Sequence, residues 1–284
     1  MKLLRFGSKD KEKPGIIDGT GNIRDLSGYI QDISGVKLAH VNLTKIRSLD
    51  LQRLPIIRNS VRYGSCVGDV RRIICVGLNY KDHIKETNSP VPSEPVIFAK
   101  LCSATGPNDD IFLPPYSKKT DWEVELGVVI GKEAEYIKKS EAQEHIFGYC
   151  VINDLSEREF QIERGGGQWT KGKSFRGFAP IGPWLVTKDE IDNIQDLNIW
   201  LKVNDVEYQR SNTKNMIFDV NHLVSYISQF IVLMPGDIIS TGTPHGVGMG
   251  LKPKPMYLKD SDIITLGIEK LGVQCQHIYR KSGE

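Results

Sequence analysis

The chain has 284 residues, 39% apolar and 25% charged, with a formal charge of +2 at pH 7. That balance carries no electrostatic footprint for a nucleic-acid backbone or an anionic membrane surface, and no stretch approaches the roughly 18 apolar residues of a membrane span. The five cysteines (Cys66, Cys75, Cys102, Cys150 and Cys275) are odd in number and form no Cys-x-x-Cys pair, which points to reduced thiols in a cytoplasmic compartment.

Strand-like pieces open the chain at Lys2–Phe6 and residues 15–17, with turn signals at Asp18-Gly19 and Gly21-Asn22. A weakly helical stretch covers residues 41–54. A boundary over residues 61–69 separates a small N-terminal domain, residues 1–65, from a larger one, residues 70–284. The larger one begins with a buried strand, Ile73–Gly77, and a short helix over residues 80–87. On that helix His83 and Glu86 are three apart and share a face. A carboxylate beside an imidazole orients it and raises its basicity, as a general base requires; an ordinary surface pair has the same spacing. The helix is expected to be exposed. Pro90, Pro92 and Pro95 then spell a loop.

The stretch Asp121-Trp122-Glu123-Val124-Glu125-Leu126-Gly127-Val128-Val129-Ile130 reads as a strand with two acids two positions apart. Side chains alternate along a strand, so Glu123 and Glu125 point to one face while Val124 and Leu126 point to the other. Like charges that close repel, and a half-buried face desolvates them, so something positive must hold them. A second apolar strand, residues 149–153, ends on Asp154. Three carboxylates make an all-oxygen site suited to Mg²⁺ or Mn²⁺, with Ca²⁺ also compatible, rather than to Zn²⁺ on thiolates and imidazoles. The alternative is a solvated strand face whose acids pair with Lys132 or Lys171.

Ser156 and Glu159 fit a capping box for a helix reaching Arg164 and stopping at Gly165-Gly166-Gly167. Arg158 and Gln161 share a face of it, either as ligands or as a solvated surface. The run Gly167-Gln168-Trp169-Thr170-Lys171-Gly172-Lys173-Ser174 matches the phosphate-binding loop pattern at every position. Its context fails: a polar helix precedes it, and Gly177, Pro180, Gly182 and Pro183 follow where a helix should start. Lys173 is then either a donor to a developing oxyanion or a loop lysine in water. Gly246-Val247-Gly248-Met249-Gly250 lacks the dinucleotide fingerprint. Asn198–Val203 and residues 206–210 read as a hairpin turning at Asn204-Asp205, residues 218–231 as a helix, and residues 237–241, Ile263–Ile268 and 273–279 as strands. Strands dominate without regular strand–helix alternation, which gives an α+β, strand-rich chain.

Taken together and in order, VGLNYKDHIKET, DWEVELGVVIG, GYCVINDLSEREFQ, QWTKGKSF, FAPIGPW and PGDIISTGTPHGVG resemble the fumarylacetoacetate hydrolase family over residues 70–284. The opening MKLLRFG is similar to the bacterial diketo-deoxy sugar acid hydrolase and ureidoglycolate lyase-like branch. The resemblance implies a mixed β-roll behind a small N-terminal domain, and a homodimer. It implies that Glu123, Glu125 and Asp154 are metal ligands and that Arg158, Gln161 and Thr243 contact substrate. It implies further that Lys173 lies in the active site and that His83 and Glu86 form a water-activating dyad on a lid. The activity so implied is a divalent-metal-dependent hydrolase cleaving a C–C bond of an acylpyruvate or 2,4-diketo acid through a metal-stabilised enolate. Decarboxylation or isomerisation of a β-keto acid, or ureidoglycolate lysis, would use the same chelate. A non-catalytic small-acid binding module would leave His83, Glu86 and Lys173 without a role.

Overall fold

The computed structural model describes residues 1–41, 43–58, 60–87 and 90–280. Among them, ten strands form one sheet, ordered Ile56–Ile57, Ile23–Asp25, Lys13–Ile17, Lys2–Phe6, Ile181–Thr187, Ile146–Asn153, Val124–Ile130, Ile238–Ser240, Ile73–Gly77 and Val96–Lys100. A second sheet of five runs Val206–Asn212, Asn198–Val203, Ile263–Ile268, Gly272–Tyr279 and Ile111–Phe112. Pairing is mostly antiparallel, with parallel contacts between Ile238–Ser240 and Ile73–Gly77 and between Gly272–Tyr279 and Ile111–Phe112. The fold is therefore strand-rich with mixed sheets. No helix among the described residues is long and apolar enough to cross a membrane.

The strand Val124–Ile130 is buried along its whole length. Its alternate residues explain why it reads as nearly continuous apolar sequence. Val124, Leu126, Val128 and Ile130 pack with Ile199, Leu201, Val203, Ile264 and Leu266 of the second sheet. Val129, on the other face, packs with Leu3, Leu26, Leu38 and Ile46 from the start of the chain. A strand covered on both faces has no solvent side to keep polar. The first 65 residues thus cover one face of the central strands, and Lys2–Phe6 also pairs edge to edge with Ile181–Thr187.

Asp18 anchors the turn after Lys13–Ile17. Its carboxylate accepts from the Thr20 hydroxyl at 2.7 Å, from Arg24 Nε at 2.7 Å and from the backbone N–H groups of Thr20 and Asn22. The Thr20 hydroxyl and the Arg24 guanidinium hold this carboxyl well below its ordinary 3.8. The folded value lies below the unfolded one, so the contribution is complete above 3.8 and is lost progressively as pH falls from there through the lower folded value. Asp18→Asn is accordingly expected to lower the urea midpoint at neutral pH, and the gap to the parent should close progressively as the measurement is moved into acid.

Several local expectations hold. Asn204 and Asp205 take φ values of 49° and 64° at the tip of the Asn198–Val203/Val206–Asn212 hairpin, the left-handed pair that a two-residue hairpin needs. The weakly helical stretch is a helix at Leu43–Arg47 and a 3₁₀ turn at Leu51–Arg53; Asn42, at its start, lies outside the described residues, as do positions 281–284 of the larger expected domain. The helix expected over residues 218–231 is narrower, Val220–Ile227, and is capped by Asp219. Other expectations fail. Ser156 does not cap a helix: its hydroxyl donates to the Asp154 carbonyl. Ser156–Glu157 instead pair as a short strand with Thr120–Asp121, and a π-helical turn, Glu159–Glu163, follows. Glu157 supplies the capping, accepting from the Phe160 N–H at 2.9 Å. The strands Val96–Lys100 and Ile181–Thr187 were not expected. The first is an edge strand directly behind Pro95, and the second carries Pro183 beside a break in register, so both look like loop in sequence.

Candidate active site

The antiparallel register between Val124–Ile130 and Ile146–Asn153 builds the floor of the site. Asn153 faces Val124, and the Asp154 N–H donates to the Glu123 carbonyl at 2.9 Å. This places Asp154 across from Glu123, with Glu125 one side-chain period further along. One ligand atom from each of Glu123, Glu125 and Asp154 lies within 4.8 Å of the others. All three are buried, at 5%, 2% and 0% exposure, so a solvated strand face is excluded. Lys132 and Lys171 are not their partners: Lys132 lies 3.9 Å from Glu144, and Lys171 donates to the Arg164 carbonyl.

The counter-charges are Lys173, Arg158 and Lys100. Lys173 Nζ lies 2.6 Å from Glu123 Oε2 and 2.8 Å from Asp154 Oδ2. Arg158 Nη1 lies 2.7 Å from Glu123 Oε1, and its Nε donates to Asp121 Oδ2 at 2.8 Å. Lys100, at the end of its edge strand, pairs with Asp154 Oδ1 and donates to the Leu155 carbonyl. Lys100 and Asp121 are site residues that the sequence reading did not single out. Burial raises the Glu123 carboxyl, but Lys173 and Arg158 outweigh it and bring it down to about 2. Burial lowers the Lys173 ammonium, but Asp154 and Glu123 hold it above its ordinary value. For Glu125, burial and the neighbouring Asp154 and Glu123 all push the carboxyl well above the usual range.

Glu125 is the exception in this network. It accepts from the Ser240 hydroxyl at 2.5 Å and the Gly242 N–H at 2.9 Å, and it has no ion-pair partner among the described residues. Four buried acids (Asp121, Glu123, Glu125 and Asp154) thus face three buried cations. A donor set of hard carboxylate oxygens with one acid uncompensated fits a divalent cation of the Mg²⁺ or Mn²⁺ kind.

Local sequence sets these side chains. Gly172 lies so close to the π-helical turn that a Cβ there would meet Gln161 N at 2.4 Å and Glu157 O at 2.5 Å. The short helix Thr170–Lys173 can therefore press Lys173 onto the carboxylates, while Ser174 Oγ accepts from Leu101 N at 2.9 Å. The Gly-Lys-Ser triplet serves this docking. No helix follows Ser174; the next regular element is the strand Ile181–Thr187. Arg158 and Gln161 do share a face, with Nη1 donating to Gln161 Oε1 at 2.9 Å. Arg158 Nη2 is buried without a hydrogen-bond partner. Asp121 accepts from the N–H groups of Gly248 and Met249 as well as from Arg158, which ties the 246–250 loop to the guanidinium.

The helix Lys81–Thr87 is not exposed as expected: His83 and Ile84 are buried, at 8% and 5% exposure. His83 Nδ1 lies 3.2 Å from Glu86 Oε2, and Glu86 Oε1 accepts from the Gly246 N–H at 2.9 Å. Asp82 takes a hydrogen bond from Ser211 Oγ at 2.5 Å; His245 Nδ1 lies 3.2 Å from the same oxygen but outside hydrogen-bonding geometry. The helix is held at both ends. Thr243 lies beside the carboxylates, but its hydroxyl is engaged, donating to the Val124 carbonyl and accepting from Gln209 Nε2. Gln209, also missed in sequence, accepts from the Val124 N–H as well. A cavity of about 270 Å³ opens over the floor, lined by His83, Glu123, Glu125, Arg158, Gln161, Lys173 and Thr243 with an apolar wall beyond.

The family model described as fumarylacetoacetate (FAA) hydrolase C-terminal matches residues 72–279. Solved structures that resemble the whole chain include the following three. Fumarylacetoacetate hydrolase from psychrophilic Exiguobacterium antarcticum superposes with a TM-score of 0.86 at 34% identity, covering 99% of this chain and 100% of that one. A 2-hydroxyhepta-2,4-diene-1,7-dioate isomerase from Mycobacterium marinum gives 0.76 at 32% identity, covering 99% of each chain. Maleylpyruvate hydrolase from a Sphingobium species, in complex with manganese(II) ion and pyruvate, gives 0.81 at 25% identity, covering 99% and 100%.

Proposed function

Because the chain belongs to the fumarylacetoacetate hydrolase family, whose likenesses here include both hydrolases and an isomerase, we propose that it is a divalent-metal-dependent hydrolase that cleaves the C–C bond of an acylpyruvate or related 2,4-diketo acid. The single observation that carries this reading is the buried Glu123–Glu125–Asp154 cluster with an imidazole–carboxylate pair over the same cavity. Glu123, Glu125 and Asp154 would hold Mg²⁺ or Mn²⁺, which supplies positive charge to the oxygens of the bound keto acid. The likeness to a manganese–pyruvate complex supports that choice of ion and ligand.

The chain's own residues then divide the work. Arg158 Nη2, the unpartnered donor, receives a substrate carboxylate oxygen, with Gln161 holding the guanidinium in place. Glu86 fixes the His83 ring through Nδ1, leaving Nε2 to take a proton from the attacking water. The oxygen of that water bonds to the acyl carbonyl carbon. The C–C bond to the pyruvyl carbon then breaks, and its electron pair goes into the keto acid as the enolate. His83 returns the proton to that carbon, so the products are a carboxylic acid and pyruvate. Lys173 is held as an ammonium by Glu123 and Asp154, so it acts by its charge on the developing oxyanion. The experiment is a Mn²⁺-dependent assay for pyruvate release from acylpyruvates, alongside oxaloacetate for decarboxylation; turnover of oxaloacetate alone would replace hydrolysis with decarboxylation.

Metal binding is expected to depend on pH through Glu125. Its carboxyl titrates well above the usual range, so proton and ion compete for it. Deprotonation increases as pH rises, so the apparent Mn²⁺ affinity should rise with pH, with proton release accompanying binding. Calorimetry in two buffers of different ionisation enthalpy measures that proton. Affinity independent of pH would remove Glu125 from the ligand set.

A further inference from the structure

The cavity is chemically two-sided, and this bears on the part of the substrate that lies away from the keto acid. Its cationic lining, Arg158 and Lys173, is on the floor with the His83 imidazole, each in contact with a carboxylate of the site or its partner glutamate. The apolar lining is Leu78, Phe98, Ile162, Trp169 and Met249; Phe98 borders the charged floor, with Lys173 Nζ 5.2 Å from its ring centroid, and the others carry the lining beyond it. It is a built wall. The Phe98 and Trp169 rings meet edge to face at 5.3 Å. The Trp169 ring lies so close against Gly77 that a Cβ there would sit 2.2 Å from it. Ile162, at the mouth, is 46% exposed, an apolar side chain held out where a cation would otherwise be easy to place.

The neighbouring cations are turned elsewhere. The Arg164 guanidinium stacks on the Phe160 ring at 4.5 Å and lies 3.5 Å from Glu159. Lys171 donates to the Arg164 carbonyl, and Lys119 pairs with Glu163. No other lysine or arginine lines the cavity among the described residues. Arg158 Nη2, a buried N–H without a partner, is on a guanidinium already in contact with Glu123, at the keto-acid end.

We propose that the tail of the substrate beyond its keto acid is uncharged and apolar, held by Trp169 and Ile162, and that a tail ending in a second carboxylate is disfavoured. This tail preference rests on the floor's binding a 2-oxo acid, as proposed for the function. A second carboxylate placed against Trp169 and Ile162, beyond Phe98, would lose water and gain no lysine or arginine partner. An alkyl tail would bury surface against two rings and three aliphatic side chains.

The test is calorimetric binding to the Mn²⁺-loaded protein of three unreactive 2-oxo acids: pyruvate, 2-oxohexanoate and 2-oxoadipate. The last two have the same chain length and differ in a terminal methyl against a terminal carboxylate. The expected result is 2-oxohexanoate binding at least about 10-fold tighter than 2-oxoadipate, since an unpaired buried charge outweighs a buried methyl by that much or more. Trp169→Ala should weaken 2-oxohexanoate towards pyruvate. Ile162→Arg, at an exposed position that tolerates the change, should tighten 2-oxoadipate. Equal or tighter binding of 2-oxoadipate by the parent protein overturns the apolar tail while leaving the keto-acid site standing. Failure of all three to bind overturns the keto-acid reading and this inference with it.

Discussion

Asp154→Asn should cost the metal-free protein roughly 3–5 kcal/mol of stability, the range for breaking a buried ion pair from one side, and should abolish metal-dependent turnover. The cause is Lys100 as much as the metal. Asp154 is fully buried between two ammonium groups, Lys100 and Lys173, which are 3% and 2% exposed. Lys173 keeps Glu123 if Asp154 is neutralised, whereas Lys100 keeps only a backbone carbonyl. An uncompensated buried ammonium is the costly product of this substitution. Adding Lys100→Met to Asp154→Asn removes it, so the double variant should recover much of the lost stability while remaining inactive. Urea denaturation in a chelator reads both, since the chelator keeps metal binding from adding to the folded state. An Asp154→Asn midpoint equal to that of the parent protein would refute the charge balance described for the site.

His83→Ala should slow hydrolysis by about 10²-fold or more, the usual share of general base catalysis, while decarboxylation of a β-keto acid should lose much less. Only the first reaction needs an activated water. Mn²⁺ binding should persist, because no ligand is touched. The helix carrying His83 is packed rather than exposed, so the alanine variant also leaves a void and a Glu86 carboxylate with only the Gly246 N–H. His83→Gln fills most of the void and can still meet Glu86, yet cannot take the proton. Loss of hydrolysis in both variants, with normal unfolding of the glutamine one, identifies the imidazole as the base. Equal small losses on both reactions would make it a packing residue.

The floor of the site is legible in the chain because it obeys the two-residue period. Glu123 and Glu125 interrupt an apolar strand on one face, and Asp154 closes the next strand. Their register across the ladder then follows from strand pairing. Lys100 is not legible. It ends an edge strand that begins directly after Pro95, and its partner lies 54 residues away, so no local pattern links them. Gln209 is hidden in the same way: a polar residue on an otherwise ordinary hairpin that reaches Val124 and Thr243. Ser156 shows the opposite error. Its spacing to Glu159 fits a capping box, but tertiary pairing with Asp121 draws it into a strand, and Glu157 takes over the task. The burial of the His83 helix also escaped the sequence, because the Gly246 N–H that fixes Glu86 comes from a loop 160 residues further on.

The two sides of the cavity differ in how freely they can diverge. On the chemical side, Glu86 grips the 246–250 loop through Gly246, and Asp121 grips the same loop through Gly248 and Met249 while holding Arg158. Gly250 lies against the Glu86 carboxyl, where a Cβ would approach to 2.5 Å. Base, cation and loop are one interlocked unit, and drift in any member disturbs the others. The tail side hangs from the turn at Gly166 and Gly167, which have open space around them but left-handed φ values of 58° and 85° that favour glycine. Substitution of the exposed Ile162 alters this side without touching Glu123, Glu125, Asp154 or the His83–Glu86 pair, whereas the turn itself leads directly into Trp169 and the helix that carries Lys173. With the tail placed as proposed, a lineage built on this scaffold can exchange one substrate tail for another at Ile162, while the carboxylates and the His83–Glu86 pair stay in place.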